Sequence, residues 1–153
     1  MRLTVYADYS LRLLIYLAVN DGALATIPEI ADSYGISRHH LVKVAHQLGV
    51  KGFISTSRGK RGGLRLARPA AAIRAGDVVR QMEPDMALVP CFEPVNASCP
   101  IAPSCVLRRV MNEAREGFLA VLDDYSLEDL AGKHAPLRAL LGISQSPRDA
   151  ARA

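Results

Sequence analysis

No hydrophobic run in this chain approaches the length needed to cross a bilayer. The most apolar stretch, Leu11 to Val19, is short and contains Arg12, which excludes a membrane-spanning helix there. Met1-Arg2-Leu3-Thr4 leads straight into a helical pattern with no apolar signal segment, so the expected compartment is the cytoplasm, away from the membrane. No internal repeat is visible, which excludes a solenoid. There is no Ser/His/Asp set, no phosphate-binding loop and no carboxylate pair suited to acid–base work, so an enzyme is not expected. Histidines are few, at 39, 40, 46 and 134, and none stands at metal-motif spacing to a cysteine. Cysteines number only 3, and an odd count in a reducing compartment argues against a disulfide framework.

Those cysteines, Cys91, Cys99 and Cys105, share one loop with Pro90, Pro94, Pro100 and Pro103. Prolines at that density stiffen the loop and keep it from being a helix or a central strand. It has little to bury except Phe92, Val95 and Ile101. Three thiolates held near one another would gain their order most readily from a metal centre. Thiolate suits both zinc and iron–sulfur clusters.

A length of 153 residues, half of them apolar, suits one domain with a hydrophobic core, or one domain plus a dimerisation element. The net charge of +4 is unevenly spread. Residues 1–80 carry 12 Lys and Arg against 5 Asp and Glu, whereas residues 81–153 carry 7 against 10. A basic front and a mildly acidic back fit a nucleic-acid module followed by a sensing or dimerising one.

Local signals predict a mainly α fold with a small β-hairpin wing. Thr4 caps a first helix to about Val19, whose Leu, Ile and Val content implies burial on most sides. Asn20-Asp21-Gly22 ends it. Thr26-Ile27-Pro28-Glu29 is a capping box with proline near the helix start, opening a short helix to about Ser33. Tyr34-Gly35-Ile36 makes a tight turn, and Ser37 caps a third helix from Arg38 to about Leu48. Two short helices joined by a glycine-containing turn mark a helix-turn-helix. Phe53 to Thr56 and Leu64 to Leu66 read as strands flanking Arg58-Gly59-Lys60-Arg61-Gly62-Gly63, a cationic wing closed by Pro69. Another short helix spans Ala75 to Glu83. Beyond the cysteines, Leu107, Val110, Met111, Ala114, Phe118, Val121 and Leu122 form one apolar stripe on a long helix. Such a stripe suits a dimer interface or packing on its own domain. Ser126 caps a last short helix, and residues 145–153 read as a disordered tail.

In a helix-turn-helix the start of the second helix meets base edges in the major groove. Here those residues are Ser37, Arg38, His39 and His40, with Lys43 one turn on. Arg38 can donate two hydrogen bonds to a guanine edge. Arg58, Lys60 and Arg61 at the wing tip are placed to enter a minor groove or grip phosphates.

At this level the chain resembles the iron–sulfur winged-helix regulators that include NsrR, IscR and RirA. The likeness runs from Met1 to about Leu141 and rests on TVYADYSLRLLIYLA (4–18), YGISRHHLVKVAHQL (34–48), RGKRGGLRL (58–66), AIRAGDVVRQMEP (72–84), the cysteine loop and LDDYSLEDL (122–130). The nitric-oxide-sensing NsrR type is the nearest fit. The resemblance implies a winged helix-turn-helix over 1–83, a cluster-binding loop over 84–105, and a dimerisation helix with C-terminal packing over 106–144. It also implies a homodimer on a near-palindromic operator in double-stranded DNA. The three cysteines would hold an iron–sulfur cluster, expected as 4Fe–4S. The IscR type has a His three residues after the last cysteine, where this chain has Arg108. In the NsrR type an aspartate early in the first helix can ligate the partner subunit's cluster, and Asp8 matches it, with Arg12 close to the cluster. An ordinary helical ion pair between Asp8 and Arg12 is the plainer reading. Nitrosylation of the cluster would release operator DNA and derepress target genes. The cysteine spacing taken alone slightly favours the RirA type, an iron-responsive regulator and the nearest rival. A zinc site or thiol redox switch on the same DNA-binding module is the third possibility.

Overall fold

The Thr4 hydroxyl accepts from the Ala7 amide at 3.2 Å in the computed structural model, and α1 runs Val5–Val19. The structure describes residues 2–59, 61–92, 99–132 and 134–143. The tail 145–153, Val95 and Lys60 lie outside the described residues. Ala7, Leu13, Leu14, Leu17 and Val19 are fully buried, and α1 is the post on which later helices pack. Each such leucine contributes roughly 1.5–3 kcal/mol by burial.

The predicted capping box forms. Thr26 accepts from the Glu29 amide while the Glu29 carboxylate accepts from the Thr26 amide at 2.6 Å, opening α2 (Ile27–Tyr34). Gly35 ends it at φ 63°, ψ 35°, a left-handed conformation that costs glycine nothing. The Ile36 amide then donates back to the Ala31 carbonyl at 3.0 Å, and the chain turns into α3 (Arg38–Val50). Ser37 occupies the N-cap position, but its side chain makes no capping hydrogen bond, contrary to expectation. The helix also runs past Leu48, carrying Gly49 inside it.

The wing is the antiparallel pair β1 (Ile54–Ser57) and β2 (Gly63–Leu66), in register from Ile54 opposite Leu66 to Ser57 opposite Gly63. Ala25, between α1 and α2, exchanges two backbone hydrogen bonds with Leu64, at 3.0 and 2.7 Å. The hairpin is therefore anchored to the helix-turn-helix as well as to itself. A single 3-10 turn at Ala70–Ala72 leads to α4 (Ala75–Met82). Glu83 caps α4, and its carboxylate accepts from the Thr4 amide at 2.7 Å, tying α4 to the start of α1.

Two short 3-10 turns, Pro90–Phe92 and Ala102–Ser104, flank the described parts of the cysteine loop. The prolines exclude an α-helix but not these single turns. Next come α5 (Val106–Asp123) and α6 (Leu127–Ala131), whose capping box joins Ser126 and Asp129. After α5 the chain returns to α4: Ala75 N–H donates to Tyr125 O, and Leu127 N–H to Ile73 O, both at 2.9 Å. An unpredicted helix, α7 (His134–Leu140), closes the described fold. Buried Arg138 on α7 donates to the Val19 carbonyl at the end of α1, at 2.9 Å.

The α5 stripe divides. Leu119, absent from the predicted set, is the one buried residue of this helix, whereas Met111, Phe118 and Leu122 are half-buried. Val106, Leu107, Val110 and Val121 are 48–62% exposed, so much of the apolar face has no partner among the described residues. The architecture is a mainly helical winged helix-turn-helix with a long helix beyond it. Among the described residues no helix is long and apolar enough to cross a membrane.

Candidate nucleic-acid interface and cysteine loop

The buried side of α3 is Leu41, Val44, Ala45 and Leu48, which points the remainder outward. Ser37, Arg38, His39, His40 and Lys43 are all exposed. They do not all remain free. The Arg38 Nη2 donates to both carboxylate oxygens of Asp32 on α2, each at 3.0 Å. His40 tilts toward Tyr9 of α1, with ring centroids 6.3 Å apart, and His39 lies 6.2 Å from His40. Val42, His46 and Val50 extend the outward face of α3 beside a cleft of about 640 Å³ against the hairpin. The sequence reading missed them, although helical spacing from His39 reaches all three.

At the wing tip Arg58 and Arg61 are exposed, while Lys60 is outside the described residues. The Gly62 amide donates to the Gly59 carbonyl at 2.9 Å, closing the turn that presents the two arginines. Lys43 and the wing arginines stand on the helix-turn-helix and on the hairpin anchored beside it by Ala25.

Residues 3–133 match the family described as "Rrf2: Iron-dependent Transcriptional regulator". The chain belongs to the Rrf2 family. Rrf2 members are transcriptional regulators rather than enzymes; they bind DNA and are typically dimeric. The chain is 29% identical to the solved structure of CymR (YrzC), the global cysteine regulator of B. subtilis, over 86% of this chain and 96% of that one, with TM-score 0.69. It is 28% identical to the oxidized form of Staphylococcus aureus CymR, over 86% and 97%, with TM-score 0.68. T. potens IscR shares the fold at 23% identity, over 85% of each chain, with TM-score 0.67.

Among the described residues the cysteine loop has two attachments to α5. The Cys105 Sγ is the N-cap acceptor of α5, receiving the Arg108 amide at 3.4 Å. Phe92, next to Cys91, lies under the Arg115 guanidinium at 5.1 Å, and Asn112 and Glu116 hold that guanidinium in turn. Arg115 is about 15 Å along the helix axis from Cys105, at ~1.5 Å of rise per residue. All three cysteines are unbridged and half-buried. Ile101, one of the loop's few apolar residues, is 63% exposed.

The donor chemistry suits a thiolate-bound metal or cluster. However, among the described residues no three His, Cys, Asp or Glu side chains are gathered to hold a metal ion. Asp8, in the first turn of α1, forms the ordinary ion pair with Arg12 at 3.0 Å. Arg12 also lies 5.9 Å from the centroid of Tyr34, whose phenol is pushed up to about 12 chiefly by burial. Tyr34 therefore presents a neutral ring to that cation.

Proposed function

We propose that this protein is a dimeric cytoplasmic repressor in which Cys91, Cys99 and Cys105 hold an iron–sulfur cluster, with nitric oxide as its signal. One observation carries the reading: three unbridged thiols share a loop whose two ends both bear on α5. Asp8 of the partner subunit is the proposed fourth ligand, with Arg12 beside it. A cluster at that loop supplies iron that reacts with nitric oxide, more readily where a carboxylate stands in place of a thiolate. The chain's own residues do the rest. Cys105 couples thiol position to the first turn of α5, and Arg80 and Asp123 fasten the far end of α5 to α4. Helix α4 packs on α1, and α1 on α3.

On the DNA side, Ser37, Arg38, His39, His40 and Lys43 address the major groove, while Arg58, Lys60 and Arg61 address phosphates or a minor groove. The exposed apolar face of α5 is the dimer contact. Two recognition helices related by a two-fold axis require a near-palindromic operator.

The test is anaerobic. Iron, sulfide and visible absorption are measured on the purified protein, then nitric oxide is titrated while binding to an operator duplex is followed. A cluster whose nitrosylation abolishes binding supports the reading. If only iron depletion releases DNA, the protein is an iron sensor, in keeping with the family description. A second reading, thiol sensing without a cluster, is favoured by the likeness to CymR. It predicts no iron or sulfide, and DNA release on thiol oxidation.

A further inference from the structure

Every way in which an arginine can offer a parallel pair of donors, end-on or side-on, uses Nη2. In this chain the Nη2 of Arg38 is the atom that Asp32 engages with both oxygens. The pair spans the helix-turn-helix, from the last turns of α2 to the first residue of α3, because the Gly35 turn brings residues six apart together. Both side chains are largely exposed, at 60% and 66%, so the pair is weak in solution and readily exchanged.

We propose that Asp32 is a specificity-determining residue of the DNA interface, withholding Arg38 from phosphates and yielding it only to a guanine edge. The proposal rests on the reading of α3 as the base-contacting helix. A phosphate can also take two donors from Arg38, but it is an anion and would then lie beside the displaced Asp32 carboxylate, whereas a guanine edge is neutral. A guanine O6 and N7 pair takes two parallel donors and so requires Arg38 to leave Asp32. On random DNA the carboxylate stays paired and cancels one positive charge at the phosphate surface. At a correct operator the pair opens, and the two-donor contact replaces it. Asp32 thereby weakens binding to the wrong sequence more than to the right one, which is how repulsive elements create specificity.

The experiment is a double-mutant cycle on the full chain. Wild type, Asp32→Ala, Arg38→Ala and the double variant are compared by binding to two duplexes of equal length across a salt series. One duplex is selected by the wild type from a randomised library; the other is random. Asp32→Ala should bind random DNA several-fold more tightly, with its salt slope steeper by about 0.9, one more phosphate contact. Its affinity for the selected duplex should change little, so discrimination falls. In the Arg38→Ala background, removing Asp32 should leave the discrimination ratio unchanged. If Asp32→Ala leaves the ratio intact, or lowers it equally without Arg38, the carboxylate acts only as a surface charge and the proposal is overturned. If Arg38→Ala itself leaves discrimination intact, α3 does not read bases through Arg38, and that reading fails together with the proposal.

Discussion

Asp123, the last residue of α5, is held by both terminal guanidinium nitrogens of Arg80, each at 2.6 Å. The pair joins the far end of the long helix to α4, and the space it occupies is made by Gly76. A Cβ at Gly76 would overlap the Asp123 Oδ1 and crowd the Arg80 Nη1. Glycine to alanine inside a helix ordinarily stabilises by ~1 kcal/mol. Here the crowded atoms are the far ends of half-exposed side chains that can swing away, so Gly76→Ala should break the Arg80–Asp123 pair and forfeit part of that gain, about 0.2–1 kcal/mol. The full gain should return in an Asp123→Ala background, where the obstacle is gone. Urea unfolding of the four proteins tests this, and an equal Gly76→Ala effect with and without Asp123 would show the crowding lies elsewhere.

The same pair sets an acid dependence. Hydrogen bonds from Arg80 lower the Asp123 carboxyl, and the Ser126 hydroxyl and amide lower Asp129. A carboxyl depressed in the folded state contributes stability above its ordinary value of about 3.9. That contribution disappears as pH falls through the lower folded-state value. Asp123→Asn and Asp129→Asn should each flatten the decline in stability below about pH 4. Unfolding midpoints measured down that range should converge with wild type at the acid end. An unchanged slope in either variant would mean that residue carries no such linkage.

Among the described residues Arg61 makes no ion pair or side-chain hydrogen bond that would compete with DNA. Arg61→Ala should weaken binding to operator and random DNA alike and make the salt slope shallower by about 0.9. A loss confined to the operator would instead assign Arg61 to base reading.

Much of the architecture was legible because its signals are local. The Thr26–Glu29 box, the Gly35 turn and the cationic wing each depend on residues within a few positions. Features that depend on distant partners were not legible. Leu119 sits on no better stripe than its neighbours, yet it is the buried residue of α5, a helix that packs on α4. Helix α7 was hidden by Pro136, which reads as a breaker but falls in the first turn, where a missing amide costs nothing. The third helix is expected to end near Leu48, yet α3 continues through Gly49 to Val50. The pairing of Asp32 with Arg38 needs the turn geometry itself. Cysteine identity and spacing were readable, while the separate attachments of Phe92 and Cys105 along α5 were not.

The apolar face of α5 makes a further expectation concrete. Val110 is 48% exposed and Leu107 62%, and this face has no apolar partner among the described residues. Val110→Asp should leave the fold intact, shift the protein toward monomer and weaken operator binding far more than random binding. Sedimentation and the two duplexes together check it. A dimer that persists would move the interface off this face.

Cys105 serves two chemical roles that one pair of substitutions separates. As the N-cap acceptor of α5 it satisfies the Arg108 amide, and serine at an N-cap does this at least as well as a thiol. Cys105→Ser should therefore keep or raise stability, whereas Cys105→Ala should lose less than the ~1 kcal/mol typical of a serine cap, because sulfur is a weak acceptor. If the thiol is also a cluster ligand, the serine variant will fold but lose the cluster and operator binding together; if it is a redox group without a cluster, the variant will bind DNA but lose its response to oxidants. Retention of the full response in Cys105→Ser would confine this residue to capping. The signal would then have to be sensed by Cys91 and Cys99 without it, which three-cysteine ligation of a cluster does not allow.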